Sequence, residues 1–112
     1  RKKDIIISGG ENIASREVEV AISLMNNVKQ VAVVGISDRK WGERVCALIE
    51  RVDQQFTEPT EANVKSQCRD QLAAYKSPKQ VVFDRVPVNA NGKIDKQKVK
   101  HIFTDSENCE LT

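Results

Sequence analysis

Apolar positions along the chain fall into runs of two kinds. Ile5-Ile6-Ile7, the stretch from Val31 to Ile36 and the stretch from Val45 to Ile49 (extending to Val52) are continuous and mostly β-branched, the pattern of strands. Val31-Ala-Val-Val-Gly-Ile36 has no polar alternation, so it predicts a strand covered on both faces. Val18, Ala21, Ile22 and Met25 recur instead at helical spacing. They predict a helix capped by Ser15, with Glu17 and Glu19 near its positive end, stopped at Asn26-Asn27. Thr60 opens a second helix with Val64, Cys68 and Leu72 four residues apart, and Ser77-Pro78 ends that segment. Gln80-Val-Val-Phe83 predicts a short strand. Asp95 caps a last helix with Val99, Ile102 and Phe103 on one side.

The joints are legible too. Ser8-Gly9-Gly10 turns the first run back into Glu11-Asn12-Ile13, a hairpin. Ser37 to Arg44 is a polar link apart from Trp41, residues 53–60 form a polar loop, and Val86 to Gly92 is a loop turning at Asn91-Gly92. The segment from Thr104 onward is polar and is expected to fray. Together these elements predict an α+β fold: a small mixed sheet of about three strands flanked by helices, plus an N-terminal two-stranded hairpin.

Composition narrows the function classes. With 112 residues, 39% hydrophobic and 30% charged, the chain suits one core and excludes a disordered tail. No apolar run approaches the ~18 residues of a membrane span, and no signal-type stretch follows the basic start. A net charge of +2 is too small to imply nucleic acid. Its distribution is uneven: between Lys76 and Lys100 seven basic residues face two acids, which suits a phosphate-bearing partner or simply a solvated basic face. Three widely spaced cysteines without a CxxC fit a reducing compartment, so the cytoplasm is expected. One His and scattered Cys argue against a metal site.

Three places can carry chemistry. In Pro87-Val-Asn-Ala-Asn-Gly-Lys-Ile94, Pro87 stiffens the approach and Asn91-Gly92 permits positive φ. Lys93 then stands at the tip of a constrained loop, either as an ordinary surface lysine or as a point charge for phosphate or carboxylate. Gly9 and Gly10 either make a hairpin turn or let backbone pass close to a ligand. Trp41 either plugs the edge of the core or offers a flat stacking surface. Neither GxGxxG nor GxxxxGK[ST] is present.

Read in order, the motifs are Arg1-x-Lys3-Asp4-Ile-Ile-Ile-Ser-Gly9-Gly10-Glu11-Asn12-Ile13, Arg16-Glu17-Val18-Glu19, Trp41-Gly42-Glu43, Tyr75-Lys76-x-Pro78 and Pro87-x-x-x-x-Gly92-Lys93-Ile94. This set resembles the small C-terminal domain of the adenylate-forming superfamily: acyl- and aryl-CoA synthetases, peptide-synthetase adenylation domains and luciferase. The resemblance covers residues 1–103, leaving 104–112 as the polar tail. The Ser-Gly-Gly-Glu-Asn form is more similar to fatty-acyl and aryl CoA ligases.

The resemblance implies the mobile lid of an ATP-dependent, AMP-forming acid:CoA ligase, whose partner is a large N-terminal domain of the same polypeptide. That domain would hold most of the sites for a small carboxylic acid, ATP with Mg2+, and CoA, so the isolated lid is expected to be inactive. Lys93 is implied as the catalytic lysine of adenylation, with Pro87, Asn91 and Gly92 supporting its loop. Lys3, with Arg1 and Asp4 beside it, is implied as the hinge. Gly9 and Gly10 are implied to border the pantetheine tunnel, and Trp41, Tyr75 and Lys76 to contact CoA. Ser77 stands where some relatives have Arg, leaving Lys76 and Lys79 as replacements, and Lys96 stands where many have Arg. Two other readings remain: the lid of a carrier-protein-loading adenylation domain, and a stand-alone basic polyanion-binding module. Neither nucleic acid nor a membrane span is expected under the main reading.

Overall fold

The computed structural model describes residues 5–111, with side chains described through Thr104. The proposed hinge residues Arg1, Lys3 and Asp4 lie outside the described residues. In chain order the elements are β1 (Ile5–Ser8), β2 (Glu11–Ala14), α1 (Ser15–Ser23), β3 (Val28–Asp38), β4 (Gly42–Arg51), α2 (Glu61–Gln71), a 3-10 turn (Ala74–Lys76), β5 (Gln80–Phe83) and α3 (Lys96–Leu111). The strands form one five-stranded mixed sheet. β3 and β4 pair antiparallel from Val28↔Arg51 to Asp38↔Gly42. The other edge of β4 carries β5, parallel, over Cys46↔Gln80 to Ile49↔Phe83, and β1 at Ser8↔Gly42.

The expected double covering of the Val31–Ile36 run is present, and it divides the core in two. Val31 and Val33 face α1 and α2, packing with Val18, Ile22, Val64 and Cys68. Ala32, Val34 and Ile36 face α3, packing with Val99 and Phe103. The period of two sends successive side chains to opposite sides, so an unbroken apolar run is what a three-layer arrangement requires. Cys46 and Cys68 are both buried thiols outside any disulfide, and burial pushes the Cys68 thiol up to about 11, which leaves it unreactive.

Several boundaries differ from the sequence expectation, each for a local reason. Ser15 does not cap α1; Ala14 holds that position without a side-chain bond, and the Ser15 hydroxyl accepts from Lys96 Nζ at 3.2 Å. α1 stops at Ser23, before Asn26-Asn27. Thr60 does cap α2, in a reciprocal capping box with Asn63. α3 continues to Leu111, past the boundary expected at Thr104, whose hydroxyl donates to the Lys100 carbonyl at 2.8 Å.

The polar link from Ser37 to Arg44 is mostly strand: only residues 39–41 turn. Asp38 makes this short turn possible, its Oδ1 accepting from Lys40 N at 2.8 Å and Trp41 N at 3.0 Å, while Gly42 takes φ +83°. The Trp41 N–H, above all, holds the Asp38 carboxyl below its usual value, with Lys40 N–H and Arg44 adding to the effect.

β1 meets β4 through one backbone bridge, and a side chain extends the contact: Glu43 Oε1 accepts from Ile7 N at 2.9 Å. Gly35 lies beneath the hairpin. A methyl there would come within 2.9 Å of Ile6 Cγ2 and 3.1 Å of Glu43 Oε2, so hydrogen is what lets the hairpin approach.

Two measurements follow from these contacts. Ionised Asp38 favours the folded turn; its contribution is complete above the ordinary value of 3.8 and is lost as pH falls through its lower folded value. Emission from Trp41, the single tryptophan, should shift toward that of solvated indole below pH 3.8, and Asp38→Asn, which keeps an acceptor but cannot ionise, should remove this shift. An identical acid shift in both proteins would exclude Asp38 as its source. Separately, Glu43→Ala should cost about 1 kcal/mol and speed amide exchange at Ile7, whereas Glu43→Gln, retaining an acceptor, should restore most of the protection; exchange measured by NMR decides it.

Candidate functional site

Three regions carry the candidate side chains. The first is where the β1–β2 turn meets the β3–β4 turn. Gly9 and Gly10 adopt φ +60° and +82°, conformations that L side chains rarely take. Gly9 N donates to the Trp41 carbonyl at 2.8 Å, and a methyl at Gly9 would lie 3.2 Å from Trp41 Cε3. Gly9 and Trp41, 32 positions apart in the chain, are thus in direct contact. Trp41 is half-buried, and two ammonium groups flank its ring: Lys79 at 4.9 Å and Lys40 at 5.1 Å from the centroid. An aromatic face with two cations beside it suits a ring bearing phosphates.

The second region is the 3-10 turn. Tyr75 is exposed, with Lys76 Nζ 5.7 Å from its ring centroid. Lys76 is nevertheless committed elsewhere: its Nζ donates to Glu17 Oε1 at 2.7 Å, and that bond raises the Lys76 pKa above its ordinary range. Of the two lysines expected to replace the missing Arg at Ser77, Lys79 therefore stands beside Trp41 while Lys76 is held by α1. Ser77 itself is buried.

The third region is the loop that carries Lys93. It is a narrow hairpin closed by a Val88↔Ile94 bridge, with Asp95 N donating to the Pro87 carbonyl at 2.9 Å. Gly92 takes φ +81°, as the Asn-Gly signal predicts. The side chain that organises the loop, however, is Asn89 rather than Asn91. Asn89 Oδ1 accepts from Asn91 N at 2.9 Å and Lys93 N at 3.1 Å. Asn89 N donates to the Lys93 carbonyl at 2.7 Å, and its carbonyl accepts from Gly92 N at 2.9 Å. Asn91 contributes its backbone N–H. Lys93 is exposed, and no carboxylate among the described residues pairs with its ammonium.

Both ends of this loop are tied to the sheet by glutamates. Glu50, nearly buried at 9% exposure, accepts from Val86 N at 3.0 Å and pairs with Lys29 at 3.5 Å. At the far end Lys96 pairs with Glu19 at 3.0 Å, and the same Glu19 oxygen accepts from Val33 N at 2.9 Å on the outer edge of β3. The basic segment from Lys76 to Lys100 is therefore not one uniform cationic face: Lys76 and Lys96 are neutralised by α1, and Lys79 lies against Trp41.

The organising role of Asn89, the Glu43–Ile7 bond and the Glu19–Lys96 pair were not singled out from sequence, although Glu19, Glu43 and Lys96 stand among the residues named there. Asn89 had a readable signal, an Asx turn two residues ahead of Asn91, but the stronger Asn-Gly pair masked it. The glutamates act across long separations and leave no local signature. Among the described residues no three His, Cys, Asp or Glu side chains gather as a metal site, and no helix is long and apolar enough to cross a membrane.

This geometry has close parallels. A family model for the AMP-binding enzyme C-terminal domain matches residues 17–93. A 2-succinylbenzoate–CoA ligase from Geobacillus sp. (strain WCH70) is 37% identical over 112 residues, covering 99% of this chain and 22% of that protein. The long-chain-fatty-acid–CoA ligase FadD13 of Mycobacterium tuberculosis is 42% identical over 105 residues, covering 93% and 20%. Among solved structures, a Mycobacterium tuberculosis fatty acyl CoA synthetase superposes with a TM-score of 0.86 at 40% identity, covering 95% of this chain and 21% of that one. Apo MatB from Rhodopseudomonas palustris gives 0.86 at 37% identity, covering 94% and 21%. The chain spans about a fifth of the length of these relatives. The matched stretch holds the Trp41, Tyr75 and Lys93 motifs and most of the sheet, and by it this chain belongs to the AMP-binding enzyme C-terminal domain family.

Proposed function

We propose that this chain is the mobile C-terminal domain of an ATP-dependent, AMP-forming acid:CoA ligase, with a fatty-acyl or aryl acid as substrate. The observation that carries this reading is Lys93: an exposed ammonium, paired with no carboxylate among the described residues, on a loop whose backbone is fixed by four hydrogen bonds at Asn89. In the first half-reaction a carboxylate oxygen of the acid attacks the α-phosphorus of ATP, and the bond to pyrophosphate breaks. Two anions must approach and charge grows on the α-phosphate oxygens, so a cation delivered there lowers the barrier. At ~4 Å and an effective dielectric near 20 the attraction is about 4 kcal/mol before desolvation. Mg2+ would arrive with the ATP phosphates and screen the departing pyrophosphate.

In the second half-reaction the CoA sulfur attacks the acyl carbonyl and AMP leaves. Gly9 and Gly10 would border the passage for the pantetheine arm, and Trp41, with Lys40 and Lys79 alongside, would receive the nucleotide end, with exposed Tyr75 four residues before Lys79. Lys76, paired to Glu17, would contribute structure rather than phosphate binding. Gly42 and Glu50, from which the Gly9–Trp41 contact and the Lys93 loop are respectively anchored, lie near opposite ends of β4, roughly 25 Å apart at about 3.3 Å per residue. Separate anchoring supports a rotation between half-reactions, with Arg1, Lys3 and Asp4 as its hinge and a large N-terminal domain of the same polypeptide as its partner. Residues 1–103 would form this lid. The names of the relatives, CoA ligases, favour CoA over a carrier protein as the thiol, and two buried thiols outside any disulfide suit a reducing, cytoplasmic setting.

In the full-length protein, Lys93→Ala should slow adenylation about 100-fold or more, read as ATP–pyrophosphate exchange, and spare thioester formation from supplied acyl-adenylate. Equal loss in both assays would count against the assignment. Gly9→Val should do the opposite: thioester formation should fall about tenfold or more while pyrophosphate exchange persists, because a side chain at φ +60° must displace either the turn or the Trp41 ring.

A further inference from the structure

We infer that Asn89 is a positioning residue for adenylation: its carboxamide holds the backbone of Lys93 so that the ammonium is delivered from a fixed pivot. The inference rests on the reading of Lys93 given above. A lysine stem has four rotatable bonds, so its reach is defined only as well as the backbone that bears it. Within this loop the backbone bonds run from Asn89 N to the Lys93 carbonyl and from Gly92 N to the Asn89 carbonyl, and no backbone oxygen among the described residues accepts the Lys93 N–H. The carboxamide oxygen supplies the missing acceptor at 3.1 Å, and the same oxygen takes Asn91 N at 2.9 Å. One side chain thus closes the two amides that flank Gly92, the residue with the widest conformational freedom in the loop, at φ +81°. Pro87 restricts the entry and the Glu50 bond to Val86 N fixes the stem, whereas the hydrogen bonds to Asn91 N and Lys93 N at the tip come from Asn89. Asn89 is exposed and packs into no core, so its bonds serve the loop rather than the fold.

A positioning role separates from a stabilising one in kinetics. In the full-length protein, Asn89→Ala should lower kcat for ATP–pyrophosphate exchange about 10- to 100-fold, leave KM for ATP within about twofold, and leave thioester formation from acyl-adenylate unchanged. The unchanged second half-reaction is the internal check that the domain is folded. Asn89→Ser, which keeps a shorter acceptor, should recover part of the loss. In the Lys93→Ala background Asn89→Ala should have no further effect, since it acts through that ammonium. Amide exchange at Asn91 and Lys93 should accelerate in Asn89→Ala. Adenylation by Asn89→Ala within twofold of the parent, beside a crippled Lys93→Ala, would overturn the inference alone, as would a further loss in the double variant. A fully active Lys93→Ala would overturn the Lys93 reading and this inference with it.

Discussion

Strand β4 has backbone partners along both edges, and the placement of Gly9, Trp41 and the Lys93 loop depends on that arrangement. On one side β3 pairs with it over its whole length. On the other, β1 touches its first residue and β5 runs beside Cys46 to Ile49. Two short strands share one edge, so the hairpin bearing Gly9 and the loop leaving β5 toward Lys93 are both referenced to a single buried ribbon. Residues 45–50 of β4 are all buried, with apolar side chains filling both cores from Val45 to Ile49. A rigid reference of this kind is what loops need if they are to present side chains reproducibly.

Three glutamates complete what the sheet leaves open. Glu43 accepts the N–H of Ile7, Glu19 that of Val33, and Glu50 that of Val86. Each of these amides sits where regular pairing stops: at the hairpin's near edge, at the outer edge of β3, and at the start of the Lys93 loop. A carboxylate is a good acceptor for such orphan donors, and two of the three also balance a lysine, Lys96 for Glu19 and Lys29 for Glu50. The charge composition, nearly neutral yet rich in both signs, therefore serves architecture at these points as much as solubility.

Much of the fold was legible because its signals are local. The apolar run at Val31 to Ile36, the Thr60 cap, the Pro78 break and the positive-φ glycines each follow from a few adjacent residues. The true lengths of β3 and β4 were not legible, since their outer ends pair through backbone while carrying the polar side chains Ser37, Asp38, Glu43 and Arg44. The Ser15 misassignment has the same origin: its hydroxyl found a distant lysine instead of a local amide. At the candidate site, the glycine turn, Trp41 and Lys93 could be picked from pattern and resemblance. The engagement of Lys76 by Glu17 and the approach of Lys79 to Trp41 could not, because each joins segments far apart in the chain.

The two-sided burial of β3 has a consequence for how its alignment with β4 is kept. In a half-exposed sheet a slip of one residue would turn apolar side chains to water, and that penalty guards the register. Here the slip would only exchange Val31 and Val33 with Ala32 and Val34, trading one oily layer for another. Discrimination must come from size and from the ends instead: a notch at Gly35 that admits only hydrogen beneath Ile6, and a three-residue reversal locked by Asp38 and Gly42. Those few residues act as the ratchet teeth of an otherwise smooth track.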